Sequence, residues 1–145
     1  MPTRITVTTM IARPVEFAWA LWTDPAHITQ WCAASDDWHC PAATNDLRTG
    51  GRFVTTMAAR DGSMGFDMVG VYDEVRTHEC IAYTMSDGRT CEVRFIPMEG
   101  GTRLEETFDA ETENSPELQR AGWQAILDRY KAYAESVAPS ASGNE

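Results

Sequence analysis

Glu106, Tyr83 and His39 are the residues in this chain whose side chains could share in proton-transfer chemistry. A carboxylate and an imidazole can act as acid or base beside a bound carbonyl, and a phenol can donate a proton. Glu106 stands out by its place in the pattern. In GTRLEETFD (101–109), Leu104 and Phe108 share one parity with Thr102, and Arg103, Glu105 and Thr107 share the other. A strand that buries Leu104 and Phe108 carries Glu106 inward with them. A buried carboxylate without a partner is costly, so it must be paired, protonated or wet. Three arrangements meet that demand: a strand end open to solvent, an ion pair with an arginine on a neighbouring strand, or a polar anchor inside a cavity.

Catalytic motifs are missing from the rest of the chain. It has no GxSxG elbow, phosphate loop, dinucleotide fingerprint or HExxH, so no cofactor is expected. The paired glycines of RTGGRF (48–53) read as a hairpin turn. Cys32, Cys40, Cys80 and Cys91 form no CxxC pair, and no secretory signal precedes them. Small buried hydrophobes are expected rather than a disulfide framework. Cys32, His39 and Cys40 match no common zinc spacing, and adjacent His39 and Cys40 would point to opposite faces of a strand. No metal site is expected. His27, His39 and His78 are scattered and read as surface or structural histidines.

The elements that must position these groups follow from periodicity. Ile5, Val7, Thr9 and Ile11 alternate with Arg4, Thr6, Thr8 and Met10, which predicts a strand. Pro14 suits the start of a helix through Trp22, and Asp24-Pro25 suits the cap and first turn of a second one through Trp31. Turn signals at 49–51, 60–63, 86–88 and 99–101 then divide a run of about six strands joined as an antiparallel meander. Ser115 and Pro116 open a long final helix. In GWQAILDRYKAYAESV (122–137), Trp123, Ile126, Leu127, Tyr130, Tyr133, Ala134 and Val137 form one apolar stripe. The class is α+β: a strand, two short helices, about six strands and one long helix.

Burial selects the register of one hairpin. A two-residue loop at Asp87-Gly88 would put Ile81, Tyr83 and Met85 on a face with Thr90, Glu92 and Arg94. A three-residue loop over 86–88, with Gly88 left-handed, puts them with Cys91, Val93 and Phe95 instead. The second choice makes a wholly apolar face and is the one expected. The strand near Met68 is ambiguous, because Phe66, Met68 and Tyr72 compete with Val69, Val71 and Val75 for the inner face. A sheet with one apolar face needs a cover, and the last helix is the element long and apolar enough to supply it. Whether side chains or a ligand fill the space beneath is open at this point.

Composition narrows the partners. At 145 residues with 43% apolar residues, the chain is expected to form one domain over 1–138, with 139–145 as a frayed tail. The net charge of −10 argues against nucleic acid or an anionic membrane surface. No apolar run approaches the ~20 residues of a membrane span. A cytoplasmic protein with no membrane insertion is expected.

Five segments, in the order just derived, carry a resemblance: ARPVEFAWALWTDPAHITQW (12–31), DLRTGGRF (46–53), GVYDEV (70–75), GGTRLEETF (100–108) and GWQAILDRYKAY (122–133). Together they resemble the START-like, helix-grip (SRPBCC) superfamily, and within it the bacterial homologues of the heat-shock-90 ATPase activator. The likeness runs from about Ile5 to Glu135. Cys32, where a second aromatic is common, and the acidic EETFD depart from the family and bear on the ligand rather than the fold. The resemblance implies a helix-grip fold, a curved sheet of six to seven strands wrapped round the last helix. It also implies a hydrophobic tunnel or cavity between them. Superfamily relatives bind lipids, sterols, hormones or polyketides, and a few are cyclases or dehydratases. It implies no family-wide catalytic motif.

The function expected is binding of a small hydrophobic or amphipathic molecule. Strand parity and helix phase nominate Trp31, Phe53, Met57, Met68, Met85, Cys91, Val93, Trp123 and Leu127 as apolar lining. Glu106, Tyr83 and Tyr130 are the candidates to orient a polar end. Two alternatives stand beside it. An enzyme of the polyketide cyclase or dehydratase type would need ionisable groups such as Glu106 and His39 to converge. A chaperone-associated interaction module would act through an exposed apolar patch.

Overall fold

A computed structural model describes residues 3–33 and 35–137, so the tail expected over 139–145 lies outside the described residues. Strand β1 (Arg4–Ile11) is followed by helices α1 (Val15–Thr23) and α2 (Pro25–Trp31). Strands β2 (Trp38–Asn45), β3 (Arg52–Ala59), β4 (Gly65–Arg76), β5 (Cys80–Met85), β6 (Thr90–Met98) and β7 (Gly101–Asp109) form the meander. Helix α3 (Pro116–Ser136) closes the chain. All seven strands join one antiparallel sheet in the order β1-β7-β6-β5-β4-β3-β2. The sheet curls round α3 in a helix-grip fold.

The helix starts follow the cap chemistry in the sequence. Asp24 accepts a hydrogen bond from the Ala26 amide at 2.9 Å, and Ser115 accepts from the Leu118 amide at 3.1 Å. Helix α1 begins one residue after Pro14 and has no side-chain cap. The C-terminus of α3 has no basic residue in its last turn. Arg13, between β1 and α1, supplies the missing cation. Its guanidinium donates to the carbonyls of Ala134 at 3.0 Å, Glu135 at 2.7 Å and Val137 at 3.2 Å.

The β5–β6 hairpin has the register that burial selects. Ile81 pairs with Val93 and Tyr83 with Cys91, and Gly88 sits at φ +93° in the three-residue loop. In β4 the set with Met68 and Tyr72 takes the inner face up to a bulge and Val75 takes it after, while Val71 faces outward at 44% exposure. Met68, Gly70 and Tyr72 pair with the inward side of its neighbours, a bulge intervenes between Tyr72 and Glu74, and Val75 then pairs with buried Ile81. One extra residue reverses the parity, which no fixed period predicts. Gly70 is required there, since an added Cβ would lie 2.5 Å from the Phe53 ring.

Both sheet edges are covered or broken. At β1, side chains of α3 reach the free carbonyls: Arg120 donates to Thr6, Gln124 to Thr8 and Lys131 to Met10. At β2, Pro41 and a register shift between His39 and Ala42 interrupt the ladder. Among the described residues no helix is long and apolar enough to cross a membrane.

Candidate functional site

The sheet and α3 do not meet everywhere. Toward the C-terminal half of α3, Leu127, Tyr130 and Ala134 are fully buried as solid core, where α3 packs on β1 and α1. Toward its N-terminal half the sheet curls away, and a cavity of about 570 Å³ opens between β3–β5, the end of α2 and the turn of α3 that carries Trp123 and Ile126. Exposed wall residues Ser35, Phe66, Asp67, Ser86 and Asp87 mark its mouth.

Eight of the twelve nominated residues lie on its wall: Trp31, Phe53, Met57, Met68, Tyr83, Met85, Glu106 and Trp123. The other four do not reach it. Leu127 and Val93 are fully buried in the core beside it. Tyr130 turns its hydroxyl the other way and donates to the Ala18 carbonyl at 2.7 Å, so it cannot orient a ligand. Cys91 sits behind the wall, between Tyr83 and Glu106. All four side chains are buried, but they meet another helix or strand rather than the cavity.

Several wall residues escaped the sequence reading. Trp22, Ile28 and Cys32 come from the two short helices, whose inward faces periodicity leaves undefined over so few turns. Tyr72 and Asn45 form a polar pair near the mouth. The Tyr72 hydroxyl donates to Asn45 Oδ1 at 2.5 Å, and Asn45 Nδ2 donates to the Thr23 carbonyl at 2.7 Å. The aromatic walls brace one another: Phe53 meets Tyr83 edge-on with centroids 4.8 Å apart, and Trp123 stacks on Phe108 at 3.8 Å.

Among the described residues Glu106 is the one acidic side chain set deep in this wall. It is 6% exposed, flanked in register by Val7 and Val93, and its Oε2 receives only a weak contact from the Cys91 thiol at 4.0 Å. Loss of water around the carboxyl, with no cation to offset it, raises its pKa from 4.5 to about 8. Of the three arrangements left open, an arginine partner and a solvent-exposed strand end are both excluded by this geometry. Burial also pushes the Tyr83 phenol and the Cys91 thiol well up, and the nearby Glu106 charge adds to both. At neutral pH the three groups form a protonated row from Tyr83 through Cys91 to Glu106.

The pair needed for acid–base chemistry does not assemble. His39 is paired with Ala58, the outward neighbour of inward Met57 and Ala59, and it is off the cavity wall. His27 is held structurally, with Nδ1 2.6 Å from the Tyr133 hydroxyl. All four cysteines are free and buried. The neighbouring Cys40 raises the Cys32 thiol, and Cys32 in turn lowers the Cys40 thiol.

A family model described as Activator of Hsp90 ATPase homolog 1-like protein matches residues 12–135. The solution structure of an AHSA1-like protein from Aeromonas hydrophila is 45% identical, with a TM-score of 0.88 over 92% of this chain and 93% of that one. A protein from Cytophaga hutchinsonii is 47% identical, with a TM-score of 0.80 over 98% and 97% of the two chains. One from Nitrosomonas europaea, at 21% identity and a TM-score of 0.79 over 90% and 93%, shares the fold. No curated protein matches the sequence.

Proposed function

The chain belongs to the family of Activator of Hsp90 ATPase homolog 1-like proteins, in the START-like (SRPBCC) superfamily, and from that premise we propose that it binds a small hydrophobic or amphipathic molecule between sheet and last helix. The observation that carries the reading is a roomy apolar cavity with one deeply buried, nearly partnerless carboxyl in its wall. An unsatisfied buried polar group destabilises the fold, so its retention beside free volume points to a ligand that completes its hydrogen bonds. Trp31, Phe53, Met57, Met68, Met85 and Trp123 supply the apolar grip, and methionines adapt to shape. Glu106 and Tyr83 orient the polar end. A cytoplasmic setting belongs to the same proposal, since four free cysteines fit a reducing compartment.

The test is native mass spectrometry of protein purified from its own host, followed by thermal shift against a panel of hydrophobic metabolites. A ligand that binds only the folded state, at a hundred times its Kd, adds about 2.7 kcal/mol of stability. A copurified small molecule or a saturable rise in Tm is expected. An empty protein that no compound stabilises would refute the reading.

A second reading, docking to a chaperone, is favoured by one observation. Met64 is 63% exposed and Phe66 52%, and the Phe66 ring lies 6.0 Å from Trp38 at the cavity mouth. Such a patch suits a protein partner. Loss of a chaperone pull-down in Phe66→Ser, with thermal stability unchanged, would favour this reading over ligand binding.

A further inference from the structure

We propose that the cavity takes a cationic amine: an aromatic or aliphatic body ending in a primary or secondary ammonium that pairs with Glu106. This rests on the reading that the cavity binds a ligand and names the class of that ligand.

The groups packed round Glu106 argue for it. Val7 and Val93 flank it in the sheet, Trp123 and Ile126 of α3 line the same cavity, and none of these carries charge. The titratable neighbours are Tyr83 from β5, Cys91 from β6 and Cys32 at the end of α2, and all three keep their protons at neutral pH. Among the described residues the only cationic side chain on the cavity wall is Arg89, and Asp87 already holds it at 2.7 Å near the mouth. The chain's single lysine, Lys131, is spent on Met10 and Glu135. Among the described residues an anionic ligand would find no free counter-charge on the cavity wall.

A neutral acceptor would take the one O–H of protonated Glu106 and leave the other oxygen without a donor. A primary ammonium carries three N–H donors and can satisfy both oxygens as a charge-assisted pair. Trp31, Trp123, Phe53 and Tyr83 stand on the same wall, and aromatic faces attract a desolvated cation. The net charge of −10 also raises the local concentration of cations at the surface.

Three probes that share a naphthalene body separate the classes: 2-(1-naphthyl)ethylamine, 2-(1-naphthyl)ethanol and 1-naphthaleneacetic acid. Their affinities for the full chain are measured by calorimetry at pH 7, in two buffers of different ionisation enthalpy. The amine is expected to bind about tenfold or more tighter than the alcohol, as a charge-assisted bond exceeds a neutral one. Close to one proton should be released per amine bound, because Glu106 enters protonated and the pair retains one proton in place of two. Amine affinity should therefore rise about tenfold from pH 6 to pH 7. Glu106→Gln should bring the amine to within about threefold of the alcohol.

If the alcohol or the acid binds as tightly as the amine, or binding releases no proton, the amine proposal is overturned while the cavity reading stands. If none of the three binds, both fall. Should Glu106→Gln fail to fold, the amine-to-alcohol ratio and the proton count in the wild-type chain decide the matter alone.

Discussion

Glu106→Gln should remove a pH dependence that costs the wild type several kcal/mol of stability. Folded Glu106 keeps its proton to about pH 8, and the ordinary carboxyl of the unfolded chain loses it near 4.5. Between those values the folded state binds the extra proton, so stability falls as pH rises, by about 1.4 kcal/mol per unit. From pH 4.5 to 7 the loss is about 3 kcal/mol, and it is complete above pH 8, where both states are ionised. Glutamine keeps the shape and has no proton to lose. Its buried amide has its own cost, but that cost does not vary with pH. The assay is urea unfolding of both proteins at half-unit steps from pH 4 to 9, read as the difference in unfolding free energy. The difference should shift by about 3 kcal/mol in favour of glutamine between pH 4.5 and 7, then level off near 8. A flat difference would refute the reasoning, because it would mean that Glu106 is hydrated well enough to ionise normally inside the fold.

Gly70→Ala drives a methyl into the Phe53 ring and should cost about 1–3 kcal/mol, with Phe53 displaced from the cavity wall; urea midpoints and the Phe53 ring resonances check it. Arg13→Ala removes three hydrogen bonds to the end of α3 and should cost about 1–2 kcal/mol, with amide exchange speeding up over the last turn before Val137. Leu127→Ala, at a fully buried position outside the cavity, should cost about 2–5 kcal/mol and leave probe affinity unchanged within a factor of three, which separates the solid core from the ligand site. Tyr83→Phe should weaken any ligand that hydrogen-bonds beside Glu106 by about 0.5–1.5 kcal/mol, measured by calorimetry.

The element order was readable because each signal is local. Asp24 and Ser115 cap helices through bonds to amides two or three residues on, and the period of α3 is set by its own repeat. The β5–β6 register was also readable, since a one-residue slip would have put Glu92 and Arg94 on the buried face. Glu106 was legible as an inward carboxylate for the same reason: strand period alone places it with Leu104 and Phe108.

What the inward side chains would meet was decided by tertiary structure. Parity says that Tyr83 and Val93 face the same way, but only the curl of the sheet away from α3 puts one on a cavity wall and the other in solid core. Helix phase treats Trp123 and Tyr130 alike, yet Tyr130 turns its hydroxyl to Ala18 because α1 happens to pack there. The bulge in β4 reverses parity between Tyr72 and Val75, a choice made by pairing across strands rather than by the strand itself. Arg13 serves a helix end more than a hundred residues away. Periodicity states which side of an element is apolar. How far apart two apolar faces stand depends on sheet twist and on every element between them, so the cavity and the protonation of Glu106 exist only in the folded chain.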